Sequence, residues 1–241
     1  MKRSFLFDLY QAPRGKLLQT MEGQYLKKSI TVSCKQWILQ IGGLGWEESF
    51  VDYSLYQNYS IVDVDGLGCQ NALRVYGKAY LLPVQTASVD LVIVPHLLEF
   101  DAQRFYTMRE IDRVLKPGGE LIVLNFNPLS LSVRYQYLLD IKLADSWASH
   151  FISRRRISDW LKLMNFEVSN TVEFGVDSFT IRPGGFGLNR QALFSMAYGF
   201  KAIKRCYKLI PVGRVSKVRP KLATAARQGM EKNSFGKKHG R

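Results

Sequence analysis

The sequence predicts an α/β chain whose mostly parallel sheet carries helices on its faces, and three observations point that way. Val89-Asp90-Leu91-Val92-Ile93-Val94 is a nearly continuous β-branched apolar run, the pattern of a strand buried on both sides. Residues 102–115 then place Phe105, Met108, Ile111, Val114 and Leu115 on one helical face, and Pro117-Gly118-Gly119 ends that helix in a turn. Glu120 to Phe126 is apolar again. Strand, helix, turn and strand make a βαβ unit with a right-handed crossover.

The remaining elements follow in chain order. Residues 16–30 set Leu17, Leu18, Met21, Tyr25 and Leu26 at helical spacing, which predicts an N-terminal helix. Gln36 to Ile41 is a short apolar run that ends in Gly42-Gly43-Leu44-Gly45, a buried strand entering a tight turn. Tyr59 to Val64 reads as a second strand, closed by Asp65-Gly66. Ser153 caps a helix whose first turn is Arg154-Arg155-Arg156 and whose stripe is Ile157, Trp160, Leu161 and Met164. Asn165 suits the left-handed stop, and Phe166-Glu167-Val168 starts a new strand. Pro183-Gly184-Gly185 with Gly187 marks a loop, and residues 192–205 suit a helix or a strand equally. Beyond Gly213 periodicity ends, and the composition reads as disordered.

Bulk properties narrow the class. At 241 residues and 46 % apolar content the chain can bury a sizeable core. No apolar run reaches the roughly 18 residues that cross a bilayer. Asp8 cuts off the short apolar start, so no signal peptide is expected and the chain reads as cytoplasmic. Cys34, Cys69 and Cys206 are odd in number and widely spaced, which gives no metal site and no redox pair. The net charge of +14 is unevenly placed: residues 201–241 hold 13 Lys/Arg against Glu231 alone. The body is nearly neutral, and the basic end suits either a polyanion contact or a solvated tail.

The stretch 77–127 contains an ordered set of motifs. These are Gly77-Lys78-Ala79, Leu82-Pro83, Ser88-Val89-Asp90-Leu91-Val92, Pro95-His96-Leu97-Leu98-Glu99, and Arg109-Glu110-Ile111-Asp112-Arg113-Val114-Leu115-Lys116-Pro117-Gly118-Gly119. Together they resemble the methyltransferase type 11 group of class I S-adenosylmethionine-dependent methyltransferases. Phe126-Asn127-Pro128-Leu129-Ser130 and residues 151–167 are similar to a proteobacterial branch of that group. The resemblance implies a Rossmann-like, doubly wound three-layer sandwich. Its sheet is seven-stranded and mostly parallel, with the one antiparallel strand near 194–203. It divides the chain into an N-terminal helical segment (1–35), a methyltransferase domain (36–205) and a basic tail (206–241).

The resemblance also implies a site. S-adenosylmethionine is the implied cofactor, with Gln40, Gly42, Gly43, Gly45, Asp65, Ala79, Pro95 and His96 as the residues around it. The group carries an acid-x-Gly-x-Gly-x-Gly turn. Here Gln40 stands in place of the acid, and Gly42 alone falls in register. An acid ending the second strand meets ribose hydroxyls in dinucleotide folds, which points to Asp65, with Asp63 next. Lys78 stands where the group has its adenine-side acid, and an ammonium cannot accept a hydrogen bond. That leaves the Ala79 backbone for adenine and Trp46 to pack on a ring. His96 follows the fourth strand, either as a general base or as pocket lining. Asn125 and Asn127 end the fifth strand and are the candidates to face a methyl acceptor. Glu99 reads as a cap, Asp90 as a structural residue, and Arg154-Arg155-Arg156 as a solvated turn or a phosphate contact.

Methyl transfer from a sulfonium needs positioning more than acid–base machinery, so the lack of a catalytic triad is expected. The acceptor, a small molecule or a nucleic acid, is not legible. A silent fold that binds a polyanion through its tail is the alternative function. A nicotinamide oxidoreductase ranks behind both, because no Tyr-x-x-x-Lys pair is present.

Overall fold

The structure, a computed structural model, describes residues 4–33, 35–56, 58–64, 72–131, 133, 151–175, 180–183 and 195–205. Asp65, the three cysteines and the basic tail beyond Arg205 therefore lie outside the described residues.

The N-terminus forms two helices, α1 (Ser4–Gln11) and α2 (Pro13–Ser29), where the periodicity predicted one. Ala12 is extended at ψ 150°, and Pro13 starts the second helix with a φ already suited to it. The strands are β1 (Ile38–Ile41), β2 (Tyr59–Asp63), β3 (Leu73–Tyr76), β4 (Val89–Pro95), β5 (Leu115–Phe126), β6 (Phe166–Gly175), β7 (Thr180–Pro183) and β8 (Ser195–Lys204). Helix α3 (Arg104–Val114) joins β4 to β5, and α4 (Arg154–Leu163) precedes β6.

The sheet order is β3-β2-β1-β4-β5-β8-β6-β7. The first five strands are parallel neighbours. Strand β8 runs antiparallel between β5 and β6. Seven strands match the expected topology, and β7 adds an eighth at the edge as a short antiparallel partner of β6. Residues 195–204 resolve to a strand because they sit between two others. A Cβ at Gly199 would come within 3.0–3.1 Å of Leu124, Tyr25 and Val172, so only glycine lets the α2 side close down there. Strand β3 escaped the periodicity because an edge strand is half exposed and carries no continuous apolar run.

Alternation along the strands divides the core into two layers. Ile38, Ile61, Leu91, Ile93, Ile122, Leu124 and Phe126 face α1 and α2. Leu39, Val62, Val92, Val94, Leu121 and Val123 face α3 and α4. On that second face Phe105 of α3 and Trp160 of α4 stack with centroids 4.8 Å apart. Among the described residues no helix is long and apolar enough to cross a membrane.

Two local expectations hold at the α4 ends. Ser153 is extended, and its hydroxyl accepts from Arg156 N at 3.4 Å. Asn165 takes φ 60° as the left-handed stop. The cap bond is long and exposed, so Ser153→Ala is expected to cost only about 0.5–1 kcal/mol, read as a small drop in denaturation midpoint at unchanged slope.

Candidate functional site

The strand order turns around between β1 and β4: from β1 the chain proceeds outward to β2 and β3, and then returns to β4 on the other side. In an open α/β sheet that switch point opens a crevice at the strand C-terminal ends. A cleft of about 380 Å³ lies there. Gly42 from β1, Asp63 from β2, Lys78 and Ala79 after β3, and Leu97 and Phe100 after β4 line it.

The glycine turn owes its shape to four residues. Gly42 and Gly45 take φ 93° and 84°, which a side chain would resist. Asp63 accepts from Gly43 N at 2.5 Å and so ties the end of β2 to the turn. The fully buried Glu47, in a single 3-10 turn (Glu47–Ser49), accepts from Leu44 N at 2.5 Å and from Gly45 N at 3.1 Å.

Gln40 is then explained. Its amide donates to Gly42 O at 2.9 Å and to Glu47 Oε1 at 2.8 Å, while its carbonyl oxygen accepts from Tyr59 O–H. A carboxylate at position 40 would face two acceptors with nothing to donate. The sequence shows an acid missing at 40; the structure shows one arriving from 47, with Gln40 as its complement. Glu47 has a weak signal in sequence, an acid just past a glycine turn, and was not foreseen.

The remaining candidates separate into groups. Ala79 lines the cleft with Gly42. Lys78 does too, with its ammonium 5.6 Å from the Tyr80 ring centroid. Gly43, Gly45 and Pro95 stand beside the cleft rather than in its described lining. Trp46 turns away from it and packs edge-on against Tyr10 at 5.6 Å and Phe50 at 5.4 Å. Asn127 closes the turn after β5: its amide donates to Ser195 O and Oγ, and its carbonyl oxygen accepts from Leu129 N. Asn125 donates to Tyr198 Oη at 3.3 Å, yet its buried Oδ1 has no donor among the described residues. Burial also pushes the Tyr198 phenol well above its ordinary range, so it stays protonated, and it donates to Ile152 O at 2.6 Å.

His96 has φ 47°, a left-handed conformation that a non-glycine residue holds only under constraint. The constraint is visible on both sides. Its N–H bonds Leu124 O at 2.8 Å, and its ring stacks on Phe126 at 4.1 Å. Nε2 lies 2.8 Å from Glu22 Oε1 of α2, and Nδ1 lies 3.5 Å from Glu99 Oε2. Burial alone would lower the imidazole pKa. The Glu22 and Glu99 carboxylates more than reverse that and raise it to about 9. A base that holds its proton at neutral pH is a poor acceptor of another, which speaks against His96 as a general base. Glu99 is not a cap: its Oε1 accepts from Phe126 N, which fixes the end of β5. Asp90 is structural, as expected, accepting from Trp37 N at 3.0 Å and pairing with Lys116 at 2.7 Å.

Comparison with known proteins agrees with this geometry. Residues 62–123 match a family model described as a methyltransferase domain. The chain is 28 % identical over 164 residues to the uncharacterized protein YafS of Escherichia coli (strain K12). That match covers 68 % of this chain and 66 % of YafS, just under two thirds of its length. Demethylmenaquinone methyltransferase of Bacillus cereus (strain AH187) is 24 % identical over 197 residues, covering 76 % of this chain and 83 % of that one. Among solved structures, a possible histamine N-methyltransferase of Thermotoga maritima superposes with TM-score 0.60 at 18 % identity, over 82 % of this chain and 93 % of that one. Geranyl diphosphate C-methyltransferase of Streptomyces coelicolor A3(2), solved with S-adenosyl-L-homocysteine, gives 0.55 at 10 % identity, over 78 % and 81 %. Sheet order, switch-point cleft and matched segment coincide: the chain has the fold of the class I S-adenosylmethionine-dependent methyltransferases, and its residues 62–123 match the methyltransferase-domain model.

Proposed function

We propose that this chain binds S-adenosylmethionine in the switch-point cleft and transfers its methyl group to an acceptor that donates a hydrogen bond. The observation that carries the first part is the cleft itself, where Gly42, Asp63 and Ala79 meet at the ends of β1, β2 and β3. The cofactor supplies a methyl group on a sulfonium, which is already electrophilic. The protein's task is to hold, align and exclude water. Gly42 lets the backbone approach closely, Asp63 presents a carboxylate beside the turn, and Leu97 and Phe100 supply apolar wall. Gln40, Gly43, Gly45 and Pro95 shape the turn and the strand end behind the cleft. Asp65 follows Asp63 by two residues as a further ribose contact.

Asn125 supports the second part. An orphaned buried carbonyl oxygen is costly and calls for a donor, which an acceptor O–H or N–H supplies. Asn127 holds the neighbouring turn in place.

Calorimetry with S-adenosylmethionine and S-adenosylhomocysteine tests the proposal. Micromolar binding is expected, and Gly42→Asp should abolish it, because φ 93° resists a side chain and a second carboxylate would crowd Asp63. A folded wild-type protein that binds neither ligand refutes the proposal. Salt-sensitive RNA binding lost on removing residues 213–241 would then favour the basic tail as the working part.

A further inference from the structure

Glu22, His96 and Glu99 are all fully buried, and they come from α2 and from the segment after β4. Their contacts set two carboxylates around one imidazole. Tyr10 O–H donates to Glu22 Oε2 at 2.7 Å, and Phe126 N–H donates to Glu99 Oε1. The two ring nitrogens face Glu22 Oε1 and Glu99 Oε2. With both ring nitrogens protonated, Nε2 donates to Glu22, while Nδ1 makes only an ion-pair contact with Glu99, whose Oε2 has no hydrogen-bond partner among the described residues. Two carboxylates and one imidazolium leave one negative charge. Among the described residues no Lys or Arg pairs with Glu22 or Glu99.

An unanswered charge at full burial is expensive, and the fold retains it next to the cleft. His96 follows the last residue of β4, and its chain neighbours Leu97 and Phe100 line the cleft wall. The rings of Trp46, Tyr10 and His96 run in edge contact from the glycine turn to the cluster, at 5.6 and 6.5 Å. The cluster therefore lies one chain step behind the cleft wall at Leu97, the cleft in which the cationic cofactor is proposed to bind.

We propose that the Glu22–His96–Glu99 cluster makes this site select for positive charge, so that the sulfonium form of the cofactor binds more tightly than the neutral thioether left after transfer. This rests on the methyl-transfer reading above. The field acts on the bound cofactor in its ground state. Its benefit is cofactor discrimination and release of spent product, not a lower methyl-transfer barrier. Glu22 is a specificity residue contributed by the N-terminal helices.

The test titrates the full chain with three ligands: S-adenosylmethionine, S-adenosylhomocysteine, and the analogue in which a protonatable nitrogen replaces the sulfur. The two cationic ligands should bind on the order of tenfold more tightly than the neutral one, the scale of one charge interaction across a protein interior. Glu22→Gln keeps the shape and removes the charge. It should collapse that ratio mainly by weakening the cationic ligands. A wild-type protein that binds the thioether equally or more tightly overturns the inference, and so does an unchanged ratio in the variant. Should the variant not fold, the three-ligand series on the wild type decides alone. Failure of all three to bind sinks the methyl-transfer reading instead, and the inference with it.

Discussion

Replacing His96 with leucine is expected to cost about 3–5 kcal/mol of stability, because it leaves Glu22 and Glu99 buried without a counter-charge. The same residue sets a pH signature. Its folded pKa of about 9 lies above the ordinary 6.5. The stabilisation is therefore fully present below about pH 6.5 and is lost as pH rises through 9. The loss amounts to about 3 kcal/mol at one 1.4 kcal/mol step per pKa unit. Burial raises Tyr25 to about 12, so its own contribution is lost only above pH 10 and falls outside this window. Urea denaturation from pH 6 to 9.5 reads both effects. Wild-type stability should fall across the window as the His96 proton is lost, and His96→Leu should lose that His96 step and be less stable already at pH 6. A flat wild-type profile would show that the imidazole is neutral and the cluster differently charged.

Gly15→Ala is expected to detach α1. A Cβ at that position would stand 1.8 Å from Leu9 O and 2.9 Å from Tyr10 Cα, both backbone atoms that cannot rotate away. The helix would have to lift, releasing Leu6, Leu9 and Tyr10, which are buried at 4 % exposure or less. Losing three such side chains at about 1.5–3 kcal/mol each exceeds what a local adjustment can recover. Lifting α1 also removes the Tyr10 hydroxyl from Glu22. Gly118→Ala is the comparison. Its φ of 80° carries a strain of about 1 kcal/mol, but open space surrounds it. Proteolysis within residues 4–12 should rise sharply for Gly15→Ala and stay at the wild-type level for Gly118→Ala. Equal protection in both would mean that α1 is not held where the structure places it.

Each misreading of the fold has a local cause. The strands at 38–41, 59–63 and 89–95, the helix at 104–114 and the α4 boundaries are legible because buried parallel strands and amphipathic helices write their period into the chain. The break at Ala12–Pro13 was missed because α1 is only eight residues long, too short for its stripe of Leu6, Leu9 and Tyr10 to register as a period. The state of 195–204 was undecidable locally: a run packed against strands on both sides has no period to show.

The site divides in the same way. The motifs between Gly77 and Gly119 pointed to the fold; of the residues expected around one pocket, Gly42 and Ala79 line the cleft, while Gly43, Gly45 and His96 are not in its lining. Glu47 and Glu22 were not seen. Glu47 matters only because the turn folds back on it. Glu22 sits among Met21, Gly23 and Lys27, where a glutamate at helical spacing reads as a solvent-facing residue. Its partner His96 is 74 residues away. The sequence by itself determined the element periods, the glycine turn and the methyltransferase-type motifs, since these depend on neighbours within a turn or a strand. Only the tertiary structure decided which carboxylates are buried and what answers them, because burial and charge pairing are set by residues far apart in the chain.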